Sequence, residues 1–209
     1  MTKSTGSYRT ALATLVNPPL RADARRNYEA LRAAAEEAFT THGSDAPLDE
    51  IARSAGVGNA TLYRHFPTRR DLLIAVCIGE VEELCKLGEG LASHRSPGHA
   101  LRQWLVAYVE HVSSRSGLAA AFATGRREDS DFVTACRDAV SSVAGTLLAN
   151  AARTGDFRSD LAVADLLALA NAVALAADPG DRRAPRRLLE LVLAGVTSAR
   201  PPQKRTRRN

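Results

Sequence analysis

Residues 48–66, LDEIARSAGVGNATLYRHF, decide the fold. Two short runs with helical apolar spacing flank Gly56-Val57-Gly58. A three- to four-residue turn between crossed helices needs a backbone position with positive φ, and Gly56 supplies one. Ala52 is small where the second helix has to cross close above the first. Ile51, Val57, Leu62 and Phe66 point inward and set the crossing angle. Asn59, Ala60, Thr61, Tyr63 and His65 are then left on the outer face of the second helix. Such a face, polar and short-sided with one aromatic ring, suits the major groove of duplex DNA.

The helical pattern extends in both directions. Upstream, Tyr28, Leu31, Ala35, Ala38 and Phe39 share a face of a helix expected from Asp23 to His42, with Gly43 as its stop. Downstream, Pro67 breaks the second short helix, and Thr68 with Asp71 three residues on forms a capping pair for a helix reaching about Ala92. Further helices are expected from Pro97, over Gly117–Phe122, over Ser130–Arg153, over Asp160–Ala177 and over Pro185–Ser198. Apolar residues recur at three and four rather than two, which excludes a sheet. The expected fold is all-α, with about nine helices. An N-terminal three-helix helix-turn-helix domain joins a helical-bundle regulatory and dimerisation domain. The expected divisions are a flexible basic arm at 1–22, where Asn17-Pro18-Pro19 bars a helix interior, the helix-turn-helix domain at 23–70, the ligand-binding and dimerisation domain at 71–199, and a disordered basic tail at 200–209.

Composition narrows the function classes. Of 209 residues, 45% are hydrophobic and 24% charged, which is globular and not disordered. No run of 18 apolar residues provides a membrane span, and Met1–Leu20 lacks a signal-peptide apolar core, so a cytoplasmic protein is expected. The formal net charge of +5 divides into +3 over residues 1–70, −3 over 71–199 and +5 beyond. Basic ends around an acidic middle favour a polyanionic partner. Cys77, Cys85 and Cys136 are odd in number and lack C-x-x-C spacing, which argues for core thiols rather than a disulfide or zinc site. No phosphate-binding loop, dinucleotide fingerprint or H-E-x-x-H motif is present. Neither an enzyme nor a metal or cofactor is expected.

The central stretch resembles the DNA-binding domain of the TetR family of transcriptional regulators. The matching residues are Ile51-Ala52, Ala55-Gly56-Val57, Thr61-Leu62-Tyr63-Arg64-His65-Phe66-Pro67, Arg69 and Leu72-Leu73, with Phe39 and Gly43 upstream. The match spans about residues 25–75; beyond that only length and helical layout are similar. The resemblance implies that Tyr63 and His65 contact phosphates, that Thr61 contacts phosphate or base, and that Gly58, Asn59 and Ala60 open the groove-facing end of the recognition helix. It also implies a phosphate contact for Arg69, where the family commonly has Lys. Asn59-Ala60 departs from the family's usual polar-Gly pair, so base preference does not carry over. Pro47 stands where a phosphate-touching Thr or Ser cap is common. Arg64 points away from the expected DNA face, toward a structural salt bridge. In the arm, Lys3 or Arg9 could reach a minor groove.

The last two helices are apolar on more than one face, which a single chain of this length can hardly cover. A second copy is therefore expected on Leu166, Val173, Leu188, Leu189, Val192, Leu193 and Val196. Trp104 and Tyr108, four apart on one face, suggest an apolar effector pocket shared with Phe122 and Leu147, with His111 and Asn171 as polar handles. The expected function is a sequence-specific homodimeric repressor, bound to a palindromic double-stranded DNA operator and released by a small-molecule effector. The alternative is a small-molecule or thiol-sensing helical protein without specific DNA recognition.

Overall fold

A computed structural model of the chain describes residues 12, 14–16, 18–114, 127–177, 180, 181 and 183–196. Among these, the helices are α1 (Ala22–His42), α2 (Leu48–Ser54), α3 (Asn59–His65), α4 (Arg69–Leu91), α5 (Pro97–Ser114), α6 (Arg127–Arg153), α7 (Val163–Ala176) and α8 (Ala184–Val196). None of the described residues lies in a β-strand. The all-α expectation holds, with boundaries within three residues of those read from the sequence for every described helix. The expected short helix at Gly117–Phe122 and the basic tail lie outside the described residues.

Local chemistry sets the helix ends. Gly43 (φ 75°) and Gly56 (φ 70°) take the left-handed backbone that ends α1 and turns α2 into α3. At the start of α4, the Asp71 amide donates to Thr68 Oγ1 (3.2 Å) and the Thr68 amide donates to Asp71 Oδ2 (2.9 Å). This reciprocal capping box satisfies two otherwise orphaned amides.

Packing places α4 at the centre. It lies against α1 on the side of the small N-terminal helices and against α5 and α6 in the bundle, while α7 and α8 close over α5. A division at residues 70/71 therefore falls within the first turn of a continuous helix. Two glycines allow the close crossings. A Cβ on Gly79 would strike the Arg32 guanidinium of α1, and one on Gly88 would strike Val143 and the Trp104 indole. The core is continuous from Leu31, Phe39 and Leu62 through Leu72 and Ile78 to Trp104, Leu147 and Leu193.

One expectation about the arm is corrected. Leu12 is fully buried, and Leu15 and Val16 pack against the core. This part of 1–22 is a docked segment, because its apolar side chains find cover beside α1 despite the Pro18-Pro19 interruption.

Candidate nucleic-acid interface

The helix-turn-helix is built from the turn outward. The Val57 amide donates to the Ala52 carbonyl (3.0 Å) and the Gly56 amide to that of Arg53 (3.1 Å), closing the turn. Ile51, Ala52 and Leu62 are buried between the two helices. Phe66 is buried below α3, its ring 4.8 Å from that of Tyr28 on α1. With the inner face fixed, α3 has one orientation. Gly58, Asn59, Ala60 and Tyr63 are exposed and Thr61 is half-buried, so five of the seven expected DNA-facing residues share one outer surface. Tyr63 keeps 48% of its surface exposed, an unusual position for an aromatic ring without a partner. Asn59 Nδ2 donates to Asp49 Oδ1 across the two helices (2.9 Å).

The other two expected contacts, and Arg64, are arranged differently. His65 is half-buried, with its ring edge-on to Tyr28 at 6.3 Å and its Nε2 buried without a hydrogen-bond partner. Burial, aided by the Arg64 charge, holds its imidazole below the ordinary pKa. A neutral ring turned inward is poorly suited to phosphate. Arg69 is committed to the Ser44 and Ala46 carbonyl oxygens. A guanidinium at the first position of α4 reaches back across the α1–α2 connection, which fixed spacing along one helix does not reveal. Arg64 is exposed and makes no ion pair among the described residues, contrary to the structural salt bridge expected for it. It stands with Leu15, Val16, Tyr28 and His65 around a cavity of about 550 Å³ behind α3.

The start of α2 carries an acidic edge. Pro47 precedes it without a side-chain cap, and Asp45, Asp49 and Glu50 are exposed.

In the bundle, the expected pocket residues separate. Trp104 is fully buried, its Nε1 donates to the Leu84 carbonyl (3.0 Å), and its ring stacks on Tyr108 at 5.6 Å. Leu147 is buried in the same core. These two are packing residues, because Gly88 lets α6 and the indole close onto α4. Tyr108 donates its hydroxyl to Asn171 Oδ1 (2.8 Å), and burial raises the phenol's pKa against the lowering effect of that bond. His111 is half-buried, with Nδ1 3.9 Å from the buried Glu80 carboxylate. Phe122 lies outside the described residues. Among the described residues no group of three or more His, Cys, Asp or Glu is placed to hold a metal ion, and no helix is long and apolar enough to cross a membrane.

The expected partner face also needs correction. Leu166, Val173, Leu189 and Leu193 are buried within the single chain, while Leu188 and Val192 are half-buried. The Val196 side chain lies outside the described set. The apolar surface left open is instead Ala168, Leu169, Ala172 and Leu175 on α7 with Leu191 on α8; Leu175 is 71% and Leu191 68% exposed. Sequence reasoning missed these because α7 is apolar all round, so periodicity does not distinguish its two sides.

Residues 31–76 match the family of bacterial regulatory proteins, tetR family, and residues 96–198 match the SbtR-like transcriptional regulator C-terminal domain. The chain is similar to the TetR transcriptional regulator SCO0520 of Streptomyces coelicolor, with 36% identity over 83% of this chain and 99% of that one, at a TM-score of 0.70. It is similar to a TetR regulatory protein of Mycobacterium vanbaalenii, with 33% identity, 86% and 99% coverage and a TM-score of 0.68. A TetR/AcrR family regulator of Thermobifida fusca shares the fold at 22% identity, covering 80% of this chain and 97% of that one with a TM-score of 0.63. A search of curated protein sequences finds no match.

Proposed function

This chain belongs to the TetR family of transcriptional regulators, and on that premise we propose that it is a homodimeric repressor that reads a palindromic operator with α3 and leaves it when a small molecule binds the helical bundle. The observation that carries the reading is the outer surface of α3, where Asn59, Ala60 and Tyr63 are exposed above a buried Leu62 and Phe66. Asn59 is the best base-edge group there, and Gly58, Ala60 and Thr61 leave room for close approach. Tyr63 supplies a phosphate contact. His65 and Arg69 support the helix from behind.

The working unit is two copies joined through Leu169, Leu175 and Leu191, with Leu188 and Val192 at their margin. Recognition helices in such a dimer must meet successive major grooves about 34 Å apart, so a change in their separation weakens both contacts together. The effector binds within the bundle formed by residues 71–199, where Tyr108, His111 and Asn171 offer polar contacts. It releases DNA to the extent that it favours the spread conformation. The helix-turn-helix domain at 23–70 moves with α4. Action on DNA places the protein in the cytoplasm, with no catalytic role.

The thiol-sensing alternative is disfavoured at Cys136, whose thiol burial pushes up to about 12. At neutral pH it is almost wholly protonated and therefore a poor nucleophile. Chromatin immunoprecipitation of the tagged chain tests the main reading. Discrete peaks sharing an inverted repeat, one of them beside the chain's own gene, are expected. Signal spread evenly over the genome contradicts it.

A further inference from the structure

We infer that Asp49 is a specificity-determining positioning residue that fixes the sense in which Asn59 presents its carboxamide to DNA; the inference rests on the reading of α3 as the DNA-reading helix. Helices α2 and α3 have seven residues each, and the turn at Gly56 sets their first turns side by side. Asp49 is the second residue of α2 and Asn59 the first of α3, and the amide Nδ2 of Asn59 donates to Asp49 Oδ1 at 2.9 Å. Both residues are exposed, as are Ala60 and Tyr63 on α3.

An exposed asparagine amide has two nearly equivalent flipped orientations, with opposite donor and acceptor patterns. A carboxylate accepts hydrogen bonds and cannot donate them when ionised, so it admits only the NH₂ side of the amide. Asp49 therefore removes one orientation. What remains on Asn59 is one N–H and the Oδ1 lone pairs, in a fixed order. Adenine presents N7 as an acceptor and N6–H₂ as a donor in the major groove, and that order matches them. The acidic charge has a second effect in the same direction. Asp49 makes no ion pair among the described residues, and with Asp45 and Glu50 it lines the start of α2. Negative charge on this edge opposes contact with phosphate irrespective of sequence. One carboxylate thus sharpens base reading and penalises binding that lacks it.

The test uses the full chain and a pool of duplexes with random cores. Wild-type protein enriches a duplex, and each base pair of that duplex is then changed in turn for titration with wild type, Asp49→Ala, Asp49→Asn and Asn59→Ala. Asp49→Ala is expected to lose about tenfold in discrimination at one adenine position per half-site. That position is the one lost by Asn59→Ala, and a further variant carrying both Asp49→Ala and Asn59→Ala does no worse there than Asn59→Ala alone. Asp49→Asn retains most of the discrimination, because its carboxamide oxygen still accepts. Unchanged discrimination at that adenine position in Asp49→Ala, with tighter binding to every duplex alike, would reduce Asp49 to a charge and overturn the inference. So would a loss at a position unrelated to Asn59. A pool from which wild type enriches nothing would overturn the DNA reading itself, before any variant is compared.

Discussion

The Arg69 guanidinium, on the first residue of α4, donates to the carbonyl oxygens of Ser44 (3.0 Å) and Ala46 (2.5 Å) in the α1–α2 connection. Both bonds leave the Nη1 nitrogen, and they tie the long helix that runs through the bundle to the entry of the helix-turn-helix. Helix α4 is thus joined to α3 by the covalent chain at Phe66–Thr68 and to the α1–α2 connection by the Arg69 hydrogen bonds. The same bonds occupy the group that the family resemblance assigns to phosphate.

Arg69→Ala leaves two half-buried carbonyls without their charged donor, and is expected to cost about 1–3 kcal/mol in chemical denaturation. The slope of log affinity against log salt should stay at the wild-type value, since no phosphate contact is lost. Arg69→Lys should restore part of the loss, because both bonds leave the single Nη1 nitrogen and an ammonium likewise carries several donors on one nitrogen. Unchanged stability with a salt slope reduced by about one would assign Arg69 to phosphate instead.

The open face of α7 and α8 gives opposite outcomes for neighbouring leucines. Leu175→Glu with Leu191→Glu should yield folded monomers, because both side chains are largely exposed in the single chain. Leu189→Glu or Leu193→Glu should unfold the bundle, because each would bury an unpaired charge in the core. Light scattering combined with helical circular dichroism separates the outcomes. A soluble dimer from the Leu175/Leu191 pair would move the interface elsewhere.

His65 predicts a pH dependence of stability. Burial lowers its pKa in the folded chain, so the folded state binds its proton less readily than the unfolded chain. Its contribution is therefore complete above the ordinary imidazole value of about 6.5 and is lost as pH falls toward the lowered one. Urea titrations between about pH 8 and about pH 5 should show a steeper acid loss for wild type than for His65→Phe. Equal slopes would indicate that the ring is solvated.

Much of this arrangement is legible from sequence where the cause is local. Thr68 and Asp71 form their box because both partners lie within one helical turn, and Gly56 turns the chain because only its own backbone has to comply. The exposed face of α3 follows from Leu62 and Phe66 four residues apart. Long-range causes are not legible in the same way. Arg69 reaches carbonyls 25 and 23 residues earlier. Leu12 docks through contacts that no period announces. The indole of Trp104 sits in the core because Gly88, on another helix, gives it room, while α7 is apolar on all sides and conceals which side is open.

Tyr63→Phe removes a hydroxyl that has no hydrogen bond among the described residues of the free chain. Stability should be unaffected, and affinity should fall by about 1 kcal/mol on every duplex alike, as expected for a phosphate contact. A loss confined to one sequence would make Tyr63 a base reader.

The central claim, that α3 reads a particular DNA sequence, is tested most directly by one competition titration. Labelled duplex from beside the chain's own gene is displaced from the protein by the same duplex or by a scrambled one, at fixed salt. A preference of about 10³-fold or more for the native duplex is predicted. Displacement by both duplexes at the same concentration would contradict the account.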